Sequence, residues 1–147
     1  MLDRGYTDIT VLDLSQSALA KVRERLGPRA AGLALQQGDV RALRLERLVD
    51  VWHDRAVFHF LTAEEDRVAY LETLAATLRI GGHAVLATFA FDGPDLCSAL
   101  PVQRYSPDTL AETLGAGYRL VRSLQRTHVT PKQKDQRFTY AVFRREA

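Results

Sequence analysis

The feature that most constrains the fold is an apolar run that ends in an acidic residue. Residues 9–15 read ITVLDLS, and a β-branched run of this length predicts a strand buried on both faces, as in a parallel sheet. Ser15 can cap a helix over Gln16–Leu26, which Gly27-Pro28 ends. Ligands of open α/β sheets lie beyond the carboxyl ends of the strands. Asp13 is therefore either an acid that binds a ribose or a residue that serves the turn.

The composition excludes several classes of protein. The chain has 147 residues, of which 46% are hydrophobic and 26% charged, as expected for one globular domain. A formal net charge of +2 gives no support for nucleic acid or an anionic membrane as partner. The sequence has neither a signal peptide nor an apolar run long enough to cross a bilayer, and Cys97 is its single cysteine. We expect a soluble cytoplasmic protein.

Strands and helices alternate along the rest of the chain. The pattern predicts strands near residues 31–37, 48–54, 83–91, 118–129 and 137–144. It also predicts a helix that Thr62 caps, that buries Val68, Leu71, Leu74, Ala75 and Leu78, and that ends at Gly81-Gly82, and a second helix over residues 106–114. Alternation of this kind predicts a single α/β domain, residues 1–147, with a mostly parallel sheet and a C-terminal antiparallel hairpin.

Four short motifs, taken in order, resemble class I S-adenosylmethionine-dependent methyltransferases. They are Val11-Leu12-Asp13-Leu14-Ser15, Gly38-Asp39-Val40, the segment His53–Leu61 and the segment Leu78–His83. The resemblance covers essentially the whole chain, and residues 87–105 resemble a bacterial subgroup that acts on small molecules. It implies a three-layer, Rossmann-like α/β sandwich, S-adenosylmethionine as the cofactor, and methyl transfer to a small molecule.

The resemblance also implies roles for individual residues in cofactor binding. Asp13 matches the acid that accepts hydrogen bonds from the ribose hydroxyls, and Leu14 matches the apolar residue against the adenine. Asp39 matches the acid that accepts from the adenine amine, with Val40 beside the ring. The chemistry is consistent, because these ligand groups are donors and carboxylates are acceptors only.

The segment after the third strand is the expected source of contacts to the substrate. Asp54 and His59 are candidates for general acid–base catalysis, or they form local hydrogen bonds that hold the loop. Arg55 is a candidate substrate contact. Arg104 and Tyr105 either bind an anionic group of the substrate or cover the core. The four histidines lack the spacing of metal ligands, so we expect no metal site.

One feature of the family is missing from the sequence. No strand and glycine-rich loop precede the acidic strand, and the nine glycines never form such a loop. The sequence thus predicts an N-terminally truncated domain in which the strands at 9–14 and 48–54 pair directly, or in which a second subunit of a homodimer completes the sheet. The alternatives to an active enzyme are a non-catalytic remnant with weak or no cofactor binding and a module for another adenine ligand.

Overall fold

The computed structural model describes residues 1–147, and its backbone forms two compact units, residues 1–43 and residues 44–147. In residues 1–43, two parallel strands, β1 (Ile9–Asp13) and β2 (Leu33–Gln37), are joined by α1 (Gln16–Leu26). The Ser15 hydroxyl accepts a hydrogen bond from the Ala18 N–H at 3.2 Å, and Gly27 ends the helix at a φ of 54°. These boundaries confirm the predicted strand, cap and helix stop.

Burial of β1 differs from the expectation. No residue of this strand is buried, and Thr10 and Asp13 are exposed. The prediction of a strand buried on both faces is therefore wrong for these residues, because β1 pairs with β2 alone and so lies at the edge of a two-stranded sheet. The third predicted strand pairs in parallel with the fourth.

Residues 44–147 form a mixed four-stranded sheet with two helices. The order of the long strands is β3 (Val49–Arg55), β4 (Leu78–Phe89), β8 (Asp135–Arg145) and β7 (Tyr118–Val129). β3 and β4 are parallel, and the other two pairs are antiparallel. The predicted α/β class and the C-terminal hairpin are confirmed. None of the helices has the length and apolar composition needed to cross a bilayer. The elements in chain order are β3 (Val49–Arg55), α2 (Glu64–Thr77), β4 (Leu78–Phe89), the two-residue strands β5 (Leu96–Cys97) and β6 (Leu100–Pro101), α3 (Pro107–Leu114), β7 (Tyr118–Val129) and β8 (Asp135–Arg145).

Both faces of this sheet contribute to the core of the unit, since Ala87, Phe89 and Phe138 form a buried cluster on the face opposite to Leu86. Three cross-strand pairs of β4 and β8 are fully buried: Ala84 with Phe143, Leu86 with Ala141, and Thr88 with Thr139. Helix α2 packs against β4, and α3 packs against β7 and β8. On the opposite sheet face the partners Val85 and Val142 are only half-buried.

The buried face of α2 is rotated from the predicted one. Tyr70, Thr73, Leu74 and Thr77 are buried, whereas Val68 is 48% exposed. The Tyr70 hydroxyl has buried hydrogen-bond partners, which favour burial of this side chain. The spacing of the apolar residues does not register these bonds. The predicted Thr62 cap is also wrong, because Ala63 occupies the cap position and no side chain caps the helix.

The glycine pair after α2 does not end the helix. The helix ends at Thr77, and Gly81-Gly82 lies inside β4, where the pairing with β3 shifts register. A Cβ atom at Gly82 would lie 2.9 Å from the carbonyl oxygens of both Arg79 and Asp50. The glycine is therefore required by the close approach of two backbone segments.

We expect Gly82→Ala to lower the free energy of unfolding by about 1–3 kcal/mol, because the backbone on one side must shift to admit the methyl group. The matched control is Gly32→Ala, where a Cβ meets nothing within 4 Å and the glycine has no left-handed φ. That variant should be unchanged or more stable by up to about 1 kcal/mol. Urea denaturation measures both values, and equal values for the two variants would contradict the close-approach argument.

Candidate functional site

Two of the predicted cofactor acids lie at one edge of the sheet in residues 1–43. Asp13 is the last residue of β1 and pairs in register with Gln37, the last residue of β2, and Asp39 follows two residues later. The Gly38 N–H donates to the Asp13 carbonyl at 3.1 Å, and the Gln37 side-chain amide donates to the Leu14 carbonyl at 3.1 Å. These bonds join the two strand ends, so both carboxylates lie at the carboxyl edge of the same parallel pair.

Asp13 keeps capacity to bind a donor. Its Oδ1 accepts the Ser15 N–H at 2.8 Å, as in an Asx turn, and its Oδ2 has no hydrogen-bond partner in the protein. The side chain of Leu14 next to it is 70% exposed. An exposed acceptor beside an exposed apolar side chain fits a ribose diol next to a base, and it also fits a residue that serves the turn.

Asp39 is already partnered by Arg41. The Arg41 Nε lies 3.0 Å from each carboxylate oxygen, and the Arg41 backbone N–H donates to Oδ1 at 2.9 Å. The hydrogen bonds from this guanidinium hold the pKa of Asp39 below its usual value. Val40, the next residue, is half-buried in a 3₁₀ turn. A ligand amine at Asp39 must therefore share its acceptor with Arg41.

The carboxyl end of β3 is organised by the buried carboxylate of Asp54. Its Oδ2 accepts from the Tyr70 hydroxyl at 2.7 Å and from the Phe58 N–H at 3.1 Å, and its Oδ1 accepts from the Val57 N–H at 2.9 Å. The Trp52 indole N–H in turn donates to the Tyr70 oxygen at 2.8 Å. Burial raises the pKa of Asp54, although these donors oppose the rise. The carboxylate thus holds the turn that follows the strand.

Ala56 lies inside this turn in the left-handed region, with a φ of 65°. Its N–H donates to the Ala87 carbonyl of β4 at 2.8 Å, which continues the pairing of β3 with β4 beyond Arg55. An alanine holds this backbone conformation only where its surroundings fix it. The bonds to Asp54 and to Ala87 are those surroundings.

His59 is fully buried against aromatic rings. Its Nδ1 accepts the Phe89 N–H at 3.2 Å, which assigns the ring proton to Nε2, and Nε2 has no partner. The centroids of Phe60 and Phe89 each lie 4.7 Å from that of the imidazole. Burial lowers the pKa of His59 to about 4, so the imidazole is neutral at pH 7.

The two predicted catalytic residues do not form a pair. Asp54 and His59 share no hydrogen bond, and each is bound to backbone N–H groups of its own surroundings. This arrangement is the local structural role named above as the alternative. A role of either residue in proton transfer stays a prediction.

The three predicted substrate residues lie in two places. Arg55 is exposed, and its guanidinium lies 5.3 Å from the centroid of the Phe138 ring. Arg104 and Tyr105 instead line one cleft between α2 and α3, together with Arg67. No group of three or more His, Cys, Asp or Glu side chains is arranged to hold a metal ion.

Sequence reasoning missed Tyr70 and Arg67. Tyr70 links Trp52 to Asp54, and Arg67 lines the cleft with Arg104. Both belong to α2, where the prediction followed the aliphatic residues: Leu74 is buried as predicted, but Val68 is exposed and Tyr70 is buried instead. The buried tyrosine one turn before Leu74 is the signal that would have found the correct face.

The pH dependence of stability tests the burial of His59. The unfolded chain binds a proton at the usual pKa of about 6.5, whereas the folded chain binds it only near 4. Protonation therefore favours unfolding, and the stability that is present above pH 6.5 is lost as the pH falls through 4. Between pH 7 and pH 4 we expect wild type to lose about 3 kcal/mol more than His59→Asn, whose amide oxygen can still accept the Phe89 N–H.

Urea denaturation at a series of pH values measures this difference. Asp54 contributes in the opposite direction, because its raised pKa adds stability as the pH falls, but this contribution is common to both chains and cancels in the comparison. Parallel curves for the two chains would contradict a buried neutral imidazole.

Comparison with known proteins gives one family and many similar structures. A family model described as a methyltransferase domain matches residues 1–82. A structure described for the conversion of a disulfide bond into a thioacetal group during echinomycin biosynthesis has a TM-score of 0.77 and 22% identity, covering 98% of this chain and 68% of that one. The N-methyltransferase NodS from Bradyrhizobium japonicum, bound to S-adenosylhomocysteine, has a TM-score of 0.71 and 17% identity, covering 94% and 66%.

A third similar structure is 1,6-didemethyltoxoflavin-N1-methyltransferase from Burkholderia thailandensis, with bound 1,6-didemethyltoxoflavin and S-adenosylhomocysteine. Its TM-score is 0.74 at 24% identity, covering 99% of this chain and 64% of that one. Curated proteins give no match. The chain spans about two thirds of the length of these three structures. Because each identity is below 25%, the similarity shows that the fold is shared and nothing more. The family model covers more than half of the chain, so this chain belongs to the methyltransferase domain family, as its sequence motifs predicted.

Proposed function

We propose that this protein binds S-adenosylmethionine and transfers its methyl group to a small molecule. The observation that carries the proposal is the pair of carboxylates, Asp13 and Asp39, at the ends of two adjacent parallel strands inside the segment that matches the family. The family and the methyltransferase neighbours support S-adenosylmethionine as the cofactor. The single free thiol, Cys97, suits a reducing cytoplasm, which we propose as its location.

Each cofactor residue has a defined part in this proposal. Asp13 accepts hydrogen bonds from the ribose diol through its free Oδ2, and the exposed side chain of Leu14 packs against the base. Asp39 shares its carboxylate between Arg41 and the adenine amine, and Val40 lies beside the ring. S-adenosylmethionine supplies a methyl group activated by a sulfonium.

In this proposal Asp54 and His59 act by position. Asp54 fixes the turn that follows Arg55, and His59 is joined to the chain around it by its Nδ1 and by its carbonyl, which accepts the Gln103 N–H at 2.8 Å. A rigid frame suits methyl transfer, where the orientation of acceptor and donor contributes most of the rate. Arg55, Arg104 and Tyr105 are the proposed contacts to the acceptor.

Calorimetric titration with S-adenosylhomocysteine tests the cofactor site. We expect wild type to bind and Asp13→Ala to bind about tenfold or more weakly, because hydrogen bonds to a charged acceptor each contribute about 1.5–3 kcal/mol. Glu24→Gln, which removes an exposed charge on α1, is the matched control and should bind as wild type does.

The outcomes separate the alternatives. A wild-type chain that folds but does not bind would favour the non-catalytic module. Tighter binding of adenosine triphosphate than of S-adenosylhomocysteine would favour a module for another adenine ligand. Unchanged affinity in Asp13→Ala would contradict the proposed role of this carboxylate.

We also propose that the protein forms a homodimer. Strand β1 pairs on one side only, and β3 is the edge strand of its own sheet, so each presents unpaired backbone groups. A second copy that pairs with such an edge would satisfy these groups. Sedimentation velocity should give a species of about twice the 16.5 kDa chain mass, and a mass of one chain at all concentrations would contradict the dimer.

A further inference from the structure

A cleft of about 230 Å³ lies between α2 and α3, within residues 44–147. We call it the α2–α3 cleft. This volume is below the range of about 300–1,000 Å³ that drug-sized ligands occupy, so the cleft admits only a small molecule. Its lining includes the side chains of Arg67, Phe91, Gln103, Arg104, Tyr105 and Glu112.

Each of the two arginines of the cleft is held by hydrogen bonds to backbone carbonyls and keeps other N–H groups available to a ligand. One terminal nitrogen of Arg67 donates to the carbonyls of Leu61 at 3.0 Å and Thr62 at 2.7 Å, and one terminal nitrogen of Arg104 donates to the Gly93 carbonyl at 3.2 Å. The other guanidinium nitrogens of both residues have no protein acceptor. Arginine forks held in place in this way are suited to a planar carboxylate.

Tyr105 adds a buried polar atom without a partner. The residue is 3% exposed, its backbone N–H donates to the Phe89 carbonyl at 2.9 Å, and its hydroxyl forms no hydrogen bond. Burial raises the pKa of Tyr105, and the charge of Arg67 opposes the rise. A buried hydroxyl without a hydrogen-bond partner is uncommon in proteins.

Glu112 limits the negative charge that a ligand of this cleft can carry. Two guanidinium groups and one carboxylate give the lining a net formal charge of +1, which matches a monoanion better than a dianion. The Phe91 side chain, 54% exposed, offers an apolar wall for the body of such a molecule.

We propose that the α2–α3 cleft binds the carboxylate of a small monoanionic organic acid, with Arg67 and Arg104 as its donors. The assignment of this acid as the methyl acceptor rests on the proposed function, whereas the binding itself does not.

The test is an NMR titration of the ¹⁵N-labelled chain with sodium benzoate, which combines one carboxylate with an apolar ring. We expect saturable shifts of backbone amides in the cleft, at Gln103 and in α3. The neutral isostere benzamide should bind about tenfold or more weakly, because hydrogen bonds to charged groups are lost. Inorganic phosphate should not compete at equal concentration.

Four variants assign the donors. Arg104→Gln should weaken benzoate binding by about tenfold, whereas Tyr105→Phe should leave it unchanged, because the hydroxyl is closed off from the cleft. Glu112→Gln should strengthen it, because a repulsive charge is removed. Arg126→Gln, which removes one exposed positive charge on β7 outside the cleft, should leave it unchanged. Because the Tyr105 hydroxyl has no partner, Tyr105→Phe should melt at the wild-type temperature or above.

Scattered shifts that do not saturate, or shifts that Arg104→Gln does not change, would overturn the proposal. Weaker rather than tighter binding by Glu112→Gln would overturn the assignment of charge. A chain that binds S-adenosylhomocysteine but not benzoate would leave the proposed function standing without this site. A chain that binds benzoate but not S-adenosylhomocysteine would leave the site standing and remove its assignment to a methyl acceptor.

Discussion

The turn after β3 depends on one buried carboxylate. A charge removed from water is costly unless it is well hydrogen-bonded, and Asp54 receives two backbone N–H donors and the Tyr70 hydroxyl. The same three bonds join a strand, a turn and a helix. Removing the carboxylate would leave those donors buried without an acceptor, so the carboxyl end of β3 depends on it.

The parts of the fold that the sequence predicted well are governed by local interactions. The helix α1 begins at Ser15 and ends at Gly27, and α3 begins with a capping box between Ser106 and Thr109, because caps and stops are set by residues within one turn. The hairpin of β7 and β8 was predicted for a similar reason, since its two strands are near neighbours in sequence. The burial predicted for β1 was wrong, because burial depends on which strands lie beside it.

The residues of the candidate site likewise separate into those set by local sequence and those set by distant contacts. The positions of Asp13 and Asp39 follow from strand ends, and both the sequence and the structure place them at one sheet edge. The link from Trp52 through Tyr70 to Asp54, and the place of Arg67 beside Arg104, depend on which face of α2 turns inward. The apolar periodicity identified Leu74 but does not register the hydrogen bonds of Tyr70, which join residues distant in sequence.

The left-handed conformation of Ala56 has a consequence for motion. A glycine at this position would make the turn a ready hinge, because many backbone angles would be open to it. Alanine has few alternatives, and its neighbours are bound to Asp54, so the segment that carries Arg55 is a stiff part of the molecule. The turn therefore serves as a fixed reference, and motion in this part of the molecule falls to segments other than the turn.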